Sequence, residues 1–289
     1  MRYRRKDITM QNIIFTVDSS SDMPSSLLAK HNISVLPFYI NFGDETYRDG
    51  VDIDRATLYE KVEKTGVMPK TAAIPPAIYG DFFAEKRKDA DAVIHFSIGS
   101  GLSSSYQNAT LAASEYDNVF VVDTNTLSSA EALVILHALD LAKEGKSAKE
   151  IVADCVSYKD RCDASFVLDT LDYMKKGGRC SGAAALGANL LGIKPALNMQ
   201  DGTLMLCKKY RGKLKMVIPK YIEERLAACT PDPTRIFITN SGIDAEIIEL
   251  AHETVEKSGI FSEIIHTDAG CVISSHCGPG TLGILFATK

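Results

Sequence analysis

Short apolar runs alternate with helix-like segments through the first 160 residues, and this alternation restricts the chain to few folds. The runs are residues 12–18, 33–42, 92–98 and 118–124. Most are followed by a polar turn and then by a segment with helical spacing, and Pro37 places the second run at an edge or a bulge. Strands that alternate with helices usually pair in parallel, with helices on both faces of the sheet. The pattern predicts a parallel-sheet α/β/α domain over residues 11–162.

The pattern changes from about residue 163. A strand and a short helix end at Gly177-Gly178, and an Ala/Leu-rich helix is predicted over residues 181–191. Residues 195–212 are typical of a hairpin, because Asp201-Gly202 is a strong turn signal. A helix over residues 213–228, a strand over 235–239, a helix over 244–258 and two terminal strands are predicted to follow. We predict a mixed-sheet α/β domain over residues 163–289, and therefore an α/β protein of two domains.

Composition argues against several classes of protein. The formal net charge of −5 disfavours a nucleic-acid-binding surface. The seven cysteines are widely spaced and include no C-x-x-C, so we expect neither a disulfide framework nor a zinc site. No apolar run approaches the roughly 18 residues of a membrane span, and residues 1–10 lack the apolar stretch of a signal peptide. We expect a cytoplasmic protein without a transmembrane segment or a metal.

The sequence supports neither of the two common nucleotide-binding motifs. Residues 278–283 match G-x-G-x-x-G, but no helix or acidic residue follows at the distance that a dinucleotide site requires. The chain also contains no G-x-x-x-x-G-K-[ST] motif. We therefore expect no bound nucleotide cofactor.

Four segments rich in Gly, Ser, Thr or basic residues interrupt the regular pattern, at residues 69–75, 100–107, 176–182 and 274–283. Their small residues let the backbone approach a ligand, and their hydroxyl or cationic groups can hold an oxyanion. None has an adjacent acidic pair or metal-ligand spacing. This combination favours binding of an acidic group without its hydrolysis.

The segment around Ser103 has three interpretations. Residues 101–105 are one residue from the G-x-S-x-G nucleophile elbow and join a predicted strand to a helix. A serine hydrolase would use Ser103 as nucleophile and His276 as base, and Asp18 or Asp123 would complete the triad. Alternatively, Ser103 caps the helix while its hydroxyl and nearby N–H groups hold an anion. A capping role alone is the third interpretation.

Each of the other candidate site residues has two interpretations. Thr71 is either a turn residue between prolines or a ligand contact, and His276 is either a core histidine or a site residue. Arg179 either contacts an anion or ties the domains together. The basic run from Lys208 to Lys215 is either a solvated hairpin edge or a docking surface for an acidic partner.

Taken in order, these segments resemble the DegV family, whose members bind fatty acids. The matching features run along almost the whole chain from residue 13. They are Val17–Asp22, Pro69-Lys70-Thr71, Leu102-Ser103 with Tyr106-Gln107, Asp169-Thr170-Leu171, Lys176–Arg179, Ile193-Lys194-Pro195, Tyr210-Arg211-Gly212 and His276–Gly280. Each match is weak alone, but the ordered set is highly specific.

The resemblance implies that one long acyl chain lies between the two domains. It implies that Thr71 and Ser103 hold the fatty-acid carboxylate, with Ser104, Arg179 and His276 in supporting positions. The family usually has Thr-Ser after Pro-Lys and Leu-Ser-Gly-Thr at the second motif, whereas this chain has Ala72 and Ser104. We expect these departures to affect head-group geometry more than ligand class.

The resemblance also implies a partner. The best-characterised members of the family are the lipid-carrying subunits of a bacterial fatty-acid kinase. Their separate ATP-binding subunit phosphorylates the bound carboxylate to an acyl phosphate, for use in phospholipid metabolism. This chain would then have no catalytic residue of its own. A carrier or sensor of acyl chains without a kinase partner is the alternative.

Overall fold

The computed structural model describes residues 11–180 and 192–289. The basic residues 1–10 and the helix predicted at 181–191 lie outside the described residues. The strands and helices are, in order, β1 Ile13–Asp18, α1 Ser25–Lys30, β2 Ser34–Leu36, β3 Tyr39–Phe42, β4 Glu45–Arg48, α2 Arg55–Thr65, β5 Lys70–Ala72, α3 Pro76–Lys86, β6 Ala92–Ser97, α4 Ser105–Ala113, β7 Val119–Asp123, α5 Ser129–Lys143, α6 Ala148–Tyr158, β8 Cys162–Val167, α7 Asp172–Gly177, β9 Ile193–Gln200, β10 Thr203–Arg211, α8 Leu214–Ala227, β11 Pro231–Ser241, α9 Ala245–Ser258, β12 Glu263–Asp268, α10 Cys271–Cys277 and β13 Thr281–Thr288.

The first sheet is parallel, as the alternation of strands and helices predicted. Its order is β2-β1-β6-β7, and each neighbouring pair is parallel. The strand β6 is buried along its whole length, which explains why its sequence is largely apolar. The chain order reverses between β1 and β6, so their C-terminal ends flank a switch point of the kind where α/β sheets bind ligands.

The second sheet is mixed, with the order β10-β9-β8-β13-β11-β12. Only β11 and β12 pair in parallel in this sheet, and the other neighbours are antiparallel. The predicted hairpin is present as β9 and β10. Asp201 and Gly202 at its turn both have positive φ, at 48° and 74°, which explains the Asp-Gly pair.

The prediction of one strand over residues 33–42 is wrong. Pro37 separates β2 from β3, and the two strands belong to different sheets. Residues 45–48 form a further strand, β4, which pairs with β3. Strand β5 pairs with the other side of β3, with Thr71 opposite Ile40. This three-stranded antiparallel sheet therefore fixes the position of Thr71.

Helix α5 lies between the two large sheets. Its sequence is apolar on nearly every side, and eleven of its residues are buried. The same hydrophobic cluster contains Phe96 from the first sheet and Phe237 and Leu285 from the second. Complete burial of each large aliphatic side chain contributes about 1.5–3 kcal/mol to the free energy of unfolding. The buried side chains of α5 therefore stabilise the packing of the two sheets against each other.

We propose to divide the chain into domains at residues 11–162 and 163–289. The four strands of the parallel sheet all precede residue 124, and the mixed sheet begins with β8 at Cys162. A second hydrophobic cluster joins the halves, because it includes Phe38 and Ile74 as well as Phe166 and Val272. Over residues 11–180 and 192–289, none of the helices combines the length and apolarity of a membrane span.

Candidate functional site

A cavity of about 170 Å³ lies between the two domains. Half of its lining residues precede residue 162 and half follow it. Its apolar lining residues are Phe38, Ala73, Ile98, Leu102, Leu127, Phe166, Met174, Leu204, Val272 and Ile273. Its polar lining residues are Thr71, Ser103, Ser104, Arg179, His276 and Cys277. The structure thus brings the five candidate site residues to one cavity, although Thr71 and His276 lie 205 positions apart.

Thr71 and His276 form a direct hydrogen bond across the domain interface. Thr71 is on β5 and His276 is on α10, and the distance from Thr71 Oγ1 to His276 Nε2 is 3.0 Å. The other ring nitrogen, Nδ1, is buried and has no hydrogen-bond partner among residues 11–180 and 192–289. A Cβ atom on Gly177 would lie 2.3 Å from this Nδ1. The close approach of α7 to the imidazole therefore requires glycine at position 177.

The imidazole of His276 is neutral at pH 7. Burial, followed by the positive charge of Arg179, lowers the pKa of His276 to about 4. A neutral ring has one donor and one acceptor nitrogen. When Nε2 carries the hydrogen, it donates to Thr71 Oγ1 and leaves the Thr71 hydrogen free for a ligand. This tautomer makes Thr71 a donor directed by His276.

Ser103 lies in the turn that starts α4. Its Oγ accepts a hydrogen bond from the Ser105 N–H at 3.2 Å and donates to Ser105 Oγ at 3.2 Å. Ser105 Oγ also accepts from the Ile74 N–H at 3.4 Å, and Asn108 Nδ2 donates to the Ile74 carbonyl at 2.8 Å. The segment after Thr71 is therefore fastened to the first turns of α4. These bonds set the spacing between the Thr71 and Ser103 hydroxyls.

Ser104 and Arg179 lie at the exposed edge of the cavity. Arg179 donates from Nη1 to the Gly177 carbonyl at 2.9 Å and from Nε to the Leu102 carbonyl at 3.4 Å. The second bond crosses from the second domain to the turn that carries Ser103. Arg179 therefore ties the domains together, and it also lines the cavity where an anion would contact it.

The hydrolase interpretation is not supported by the geometry. His276 Nε2 is bonded to Thr71 rather than to Ser103. Asp18 accepts its hydrogen bonds from buried groups within the first domain, and Asp123 accepts from the N–H groups of Ser100 and Asn125. Neither carboxylate is positioned by these bonds to orient the His276 ring, as a Ser-His-Asp triad requires.

Two buried carboxylates that the sequence reasoning missed hold the start of α10. The Gly270 N–H donates to Asp22 Oδ1 at 2.7 Å, and the Cys271 N–H donates to Asp49 Oδ1 at 2.9 Å. Burial raises the pKa of Asp22 to about 8 and also raises the pKa of Asp49. Since α10 carries His276, these contacts from the first domain fix the imidazole against Thr71. Asp22 belonged to a recognised motif, but only the fold reveals its partner.

The basic run from Lys208 to Lys215 begins within β10, an edge strand of the mixed sheet, and continues into the first turn of α8. Lys208 pairs with Glu224 at 2.7 Å, and Lys209, Arg211 and Lys213 are exposed. Leu204, which lines the cavity, is on the same strand. At about 3.3 Å per residue, the run begins roughly 13 Å along the strand from the cavity wall.

Comparison with known proteins matches both the sequence and the fold. The family model described as "Uncharacterised protein, DegV family" matches residues 12–289. A DegV domain-containing protein of Caldanaerobacter subterraneus is 30% identical, over 97% of this chain and 100% of that protein. A structure of a DegV family protein from Thermus thermophilus, solved for its fatty acid binding, has a TM-score of 0.88 and 30% identity, and covers 96% of this chain and 100% of that chain. The crystal structure of DegV, a fatty acid binding protein from Bacillus subtilis, has a TM-score of 0.82 and 29% identity, with coverage of 96% and 100%.

The fold is that of a two-domain α/β protein with one parallel and one mixed sheet, and residues of both domains line one cavity. The predicted fold class is therefore confirmed. The family match extends over almost the whole chain, and the chain belongs to the DegV family.

Proposed function

We propose that this protein binds one long-chain fatty acid between its domains and presents the carboxylate to a separate ATP-binding kinase subunit, which converts it to an acyl phosphate. The observation that carries the proposal is the convergence of Thr71, Ser103 and His276 on one largely apolar cavity. The relatives from Thermus thermophilus and Bacillus subtilis are fatty-acid-binding proteins, which supports the ligand class.

The apolar wall of the cavity accounts for most of the proposed affinity. Burial of an acyl chain contributes about 0.8 kcal/mol per CH₂, so a chain of ~16 carbons gains on the order of 10 kcal/mol before association costs. Leu127, Phe166 and Leu204 belong to this wall and come from both domains. A ligand in this position excludes water from the interface between the domains.

The head group is held by the two hydroxyls. Thr71 donates to the carboxylate, and Ser103 donates to it when its single hydroxyl hydrogen turns from Ser105 Oγ to the ligand. In the tautomer with hydrogen on Nε2, the neutral His276 donates to Thr71 Oγ1 and so directs the Thr71 hydrogen to the carboxylate. Ser104 and Arg179 support the same end of the ligand. A buried charge without partners costs several kcal/mol, so the donors chiefly remove a penalty that would otherwise oppose burial.

The chain itself performs no covalent step in this proposal. The carboxylate oxygen forms a bond to the γ-phosphorus of ATP on the kinase subunit. The bond between that phosphorus and the β–γ bridging oxygen breaks, and ADP leaves with the electron pair. The protein positions the carboxylate and shields the acyl chain, and the reaction takes place in the cytoplasm.

Reconstitution with the cognate kinase subunit tests the proposal. Fatty acid, ATP and both proteins should yield an acyl phosphate that hydroxylamine traps as a hydroxamate, and omission of any component should abolish the product. The Thr71→Ala, Ser103→Ala double variant should lose more of this activity than of its fatty-acid binding, because the tail still anchors the ligand. Undiminished product from the double variant would refute the assigned site. A fatty-acid complex that yields no product would favour the carrier or sensor alternative, and turnover of a chromogenic ester would favour the hydrolase.

A further inference from the structure

We propose that Ser104 and Arg179 form a binding site for the phosphoryl group of the acyl phosphate, on the solvent side of the carboxylate. This inference rests on the proposed function and adds a product site to it. The site would retain the activated lipid on the protein after the kinase subunit leaves.

The polar residues that line the cavity differ in how far they are buried. Thr71 and Ser103 are partly buried, whereas Ser104 and Arg179 are exposed. The inner pair is positioned for the carboxylate at the end of the apolar cavity. The outer pair, Ser104 and Arg179, lies on the solvent side of the inner pair, where a second protein would reach the ligand.

The Ser104 hydroxyl is not used in starting the helix that it precedes. Its side chain makes no capping hydrogen bond to α4. The first turn instead depends on Ser103, whose Oγ accepts from the Ser105 N–H. Ser104 lines the cavity together with Thr71 and Ser103, so its hydroxyl is a third one at this end of the cavity.

The Arg179 guanidinium is held beside this turn. Its bonds to the carbonyls of Gly177 and Leu102 employ Nη1 and Nε. A guanidinium has five N–H groups in a planar fork, so further donors remain for an anion. The charge of Arg179 also contributes to the lowered pKa of His276, which shows that its field reaches the head-group end of the cavity.

The phosphoryl group differs from the carboxylate in the donors that it requires. It carries a charge of about −1.5 to −2 and three outer oxygens. Thr71, Ser103 and His276 occupy the inner side, and the new phosphorus is attached to the outer carboxylate oxygen. The positive end of α4 and the absence of acidic residues from its first turn favour a dianion here.

Two ligands with the same C15 alkyl tail separate the carboxylate site from the phosphoryl site. They are hexadecanoic acid and 2-oxoheptadecylphosphonate, in which a CH₂ replaces the bridging oxygen of hexadecanoyl phosphate. Ser104→Ala should weaken phosphonate binding about 3- to 10-fold more than acid binding, since Ser104 is exposed and a solvent-exposed hydrogen bond contributes less than a buried one. Arg179→Gln should weaken phosphonate binding about 10-fold or more relative to acid binding, and added salt should make this difference between the two ligands smaller. Ser100→Ala, in the same turn but outside the cavity lining, should leave both affinities unchanged.

The outcomes are distinguishable. Equal losses for the two ligands, or no loss for either, in both Ser104→Ala and Arg179→Gln would overturn the phosphoryl site while leaving fatty-acid binding intact. Failure of the parent protein to bind hexadecanoic acid at all would instead overturn the proposed function, and the phosphoryl site with it.

Discussion

Replacement of Thr71 by Val removes one hydroxyl while nearly preserving the volume of the side chain. In the unliganded protein, the change deletes the hydrogen bond between Thr71 Oγ1 and His276 Nε2. His276 Nδ1 is already buried without a partner in the described part of the chain, so neither ring nitrogen would retain a hydrogen bond to those residues. A net hydrogen bond contributes about 0.5–1.5 kcal/mol, and we expect the free energy of unfolding to fall by about 1 kcal/mol.

The effect on ligand binding should be larger. A hydrogen bond to a charged group contributes about 1.5–3 kcal/mol, which corresponds to about a 10- to 150-fold increase in the Kd for a fatty acid. A fatty alcohol of the same length gains as much from the apolar wall but has no carboxylate. Its affinity should therefore change much less than that of the acid.

Urea denaturation and displacement of a fluorescent fatty acid measure the two effects separately. Thr110→Val, at an exposed position of α4, is the matched control and should change neither quantity. Equal weakening of acid and alcohol would show that the Thr71→Val substitution damages the cavity rather than removing a head-group contact. Unchanged acid affinity would refute the role of Thr71.

Three further predictions concern the imidazole and the basic run. The pKa of His276 is about 4 in the folded protein and has its ordinary value of 6.5 in the unfolded chain. Between pH 4 and pH 6.5, His276 is therefore protonated in the unfolded chain but not in the folded protein. The parent should therefore lose stability relative to His276→Gln as the pH falls from about 6.5 to about 4, and identical pH dependence in urea titrations would contradict this. Gly177→Ala should destabilise the protein by about 1–3 kcal/mol because its Cβ meets the imidazole. Gly80→Ala, in a helix with no atom within 4 Å of the added Cβ, should instead stabilise it by about 0.5–1 kcal/mol; equal effects would refute the steric argument. If the basic run helps to dock the proposed kinase subunit, Lys209→Glu with Arg211→Glu should slow association with that subunit and reduce the salt dependence of association, without altering fatty-acid affinity. If the run is only a solvated edge, the parent and the double variant should associate at equal rates.

The sequence predicted the elements whose stability is local or whose apolar pattern is strong. Strands β1, β6 and β7 are continuous apolar runs, and α5 is apolar on nearly every side because sheets cover it on two sides. The small antiparallel sheet was missed because β4 and β5 are short and have little apolar alternation. They form strands by pairing with β3, a contact that no local pattern encodes.

Two helices beside the cavity were also missed. Helix α3 begins at Pro76, and proline is common at the first position of a helix. The Pro75-Pro76 pair, however, is equally typical of a loop, so the start of α3 was not recognised. Helix α10 contains Ser, His and Cys before two glycines, a composition that resembles a loop. Its start is held by Asp22 and Asp49, which lie more than 200 residues earlier in the chain.

The candidate site residues came from small polar segments and from the family resemblance, not from pairwise geometry. The bond between Thr71 and His276 spans 205 positions, so it depends on the packing of α10 against β5. The tie from Arg179 to Leu102 depends in the same way on the docking of the two domains. Local chemistry could nominate these residues, but only the folded interface brings them together.

Native mass spectrometry of the purified protein is the most direct test of fatty-acid binding between the domains. The account predicts one non-covalently bound ligand per chain, and denaturing extraction should release it as a long-chain fatty acid. A stripped sample should regain one equivalent when fatty acid is added, and Thr71→Val with Ser103→Ala should hold it more weakly. Recovery of no acyl lipid, together with no uptake of added fatty acid, would contradict the account.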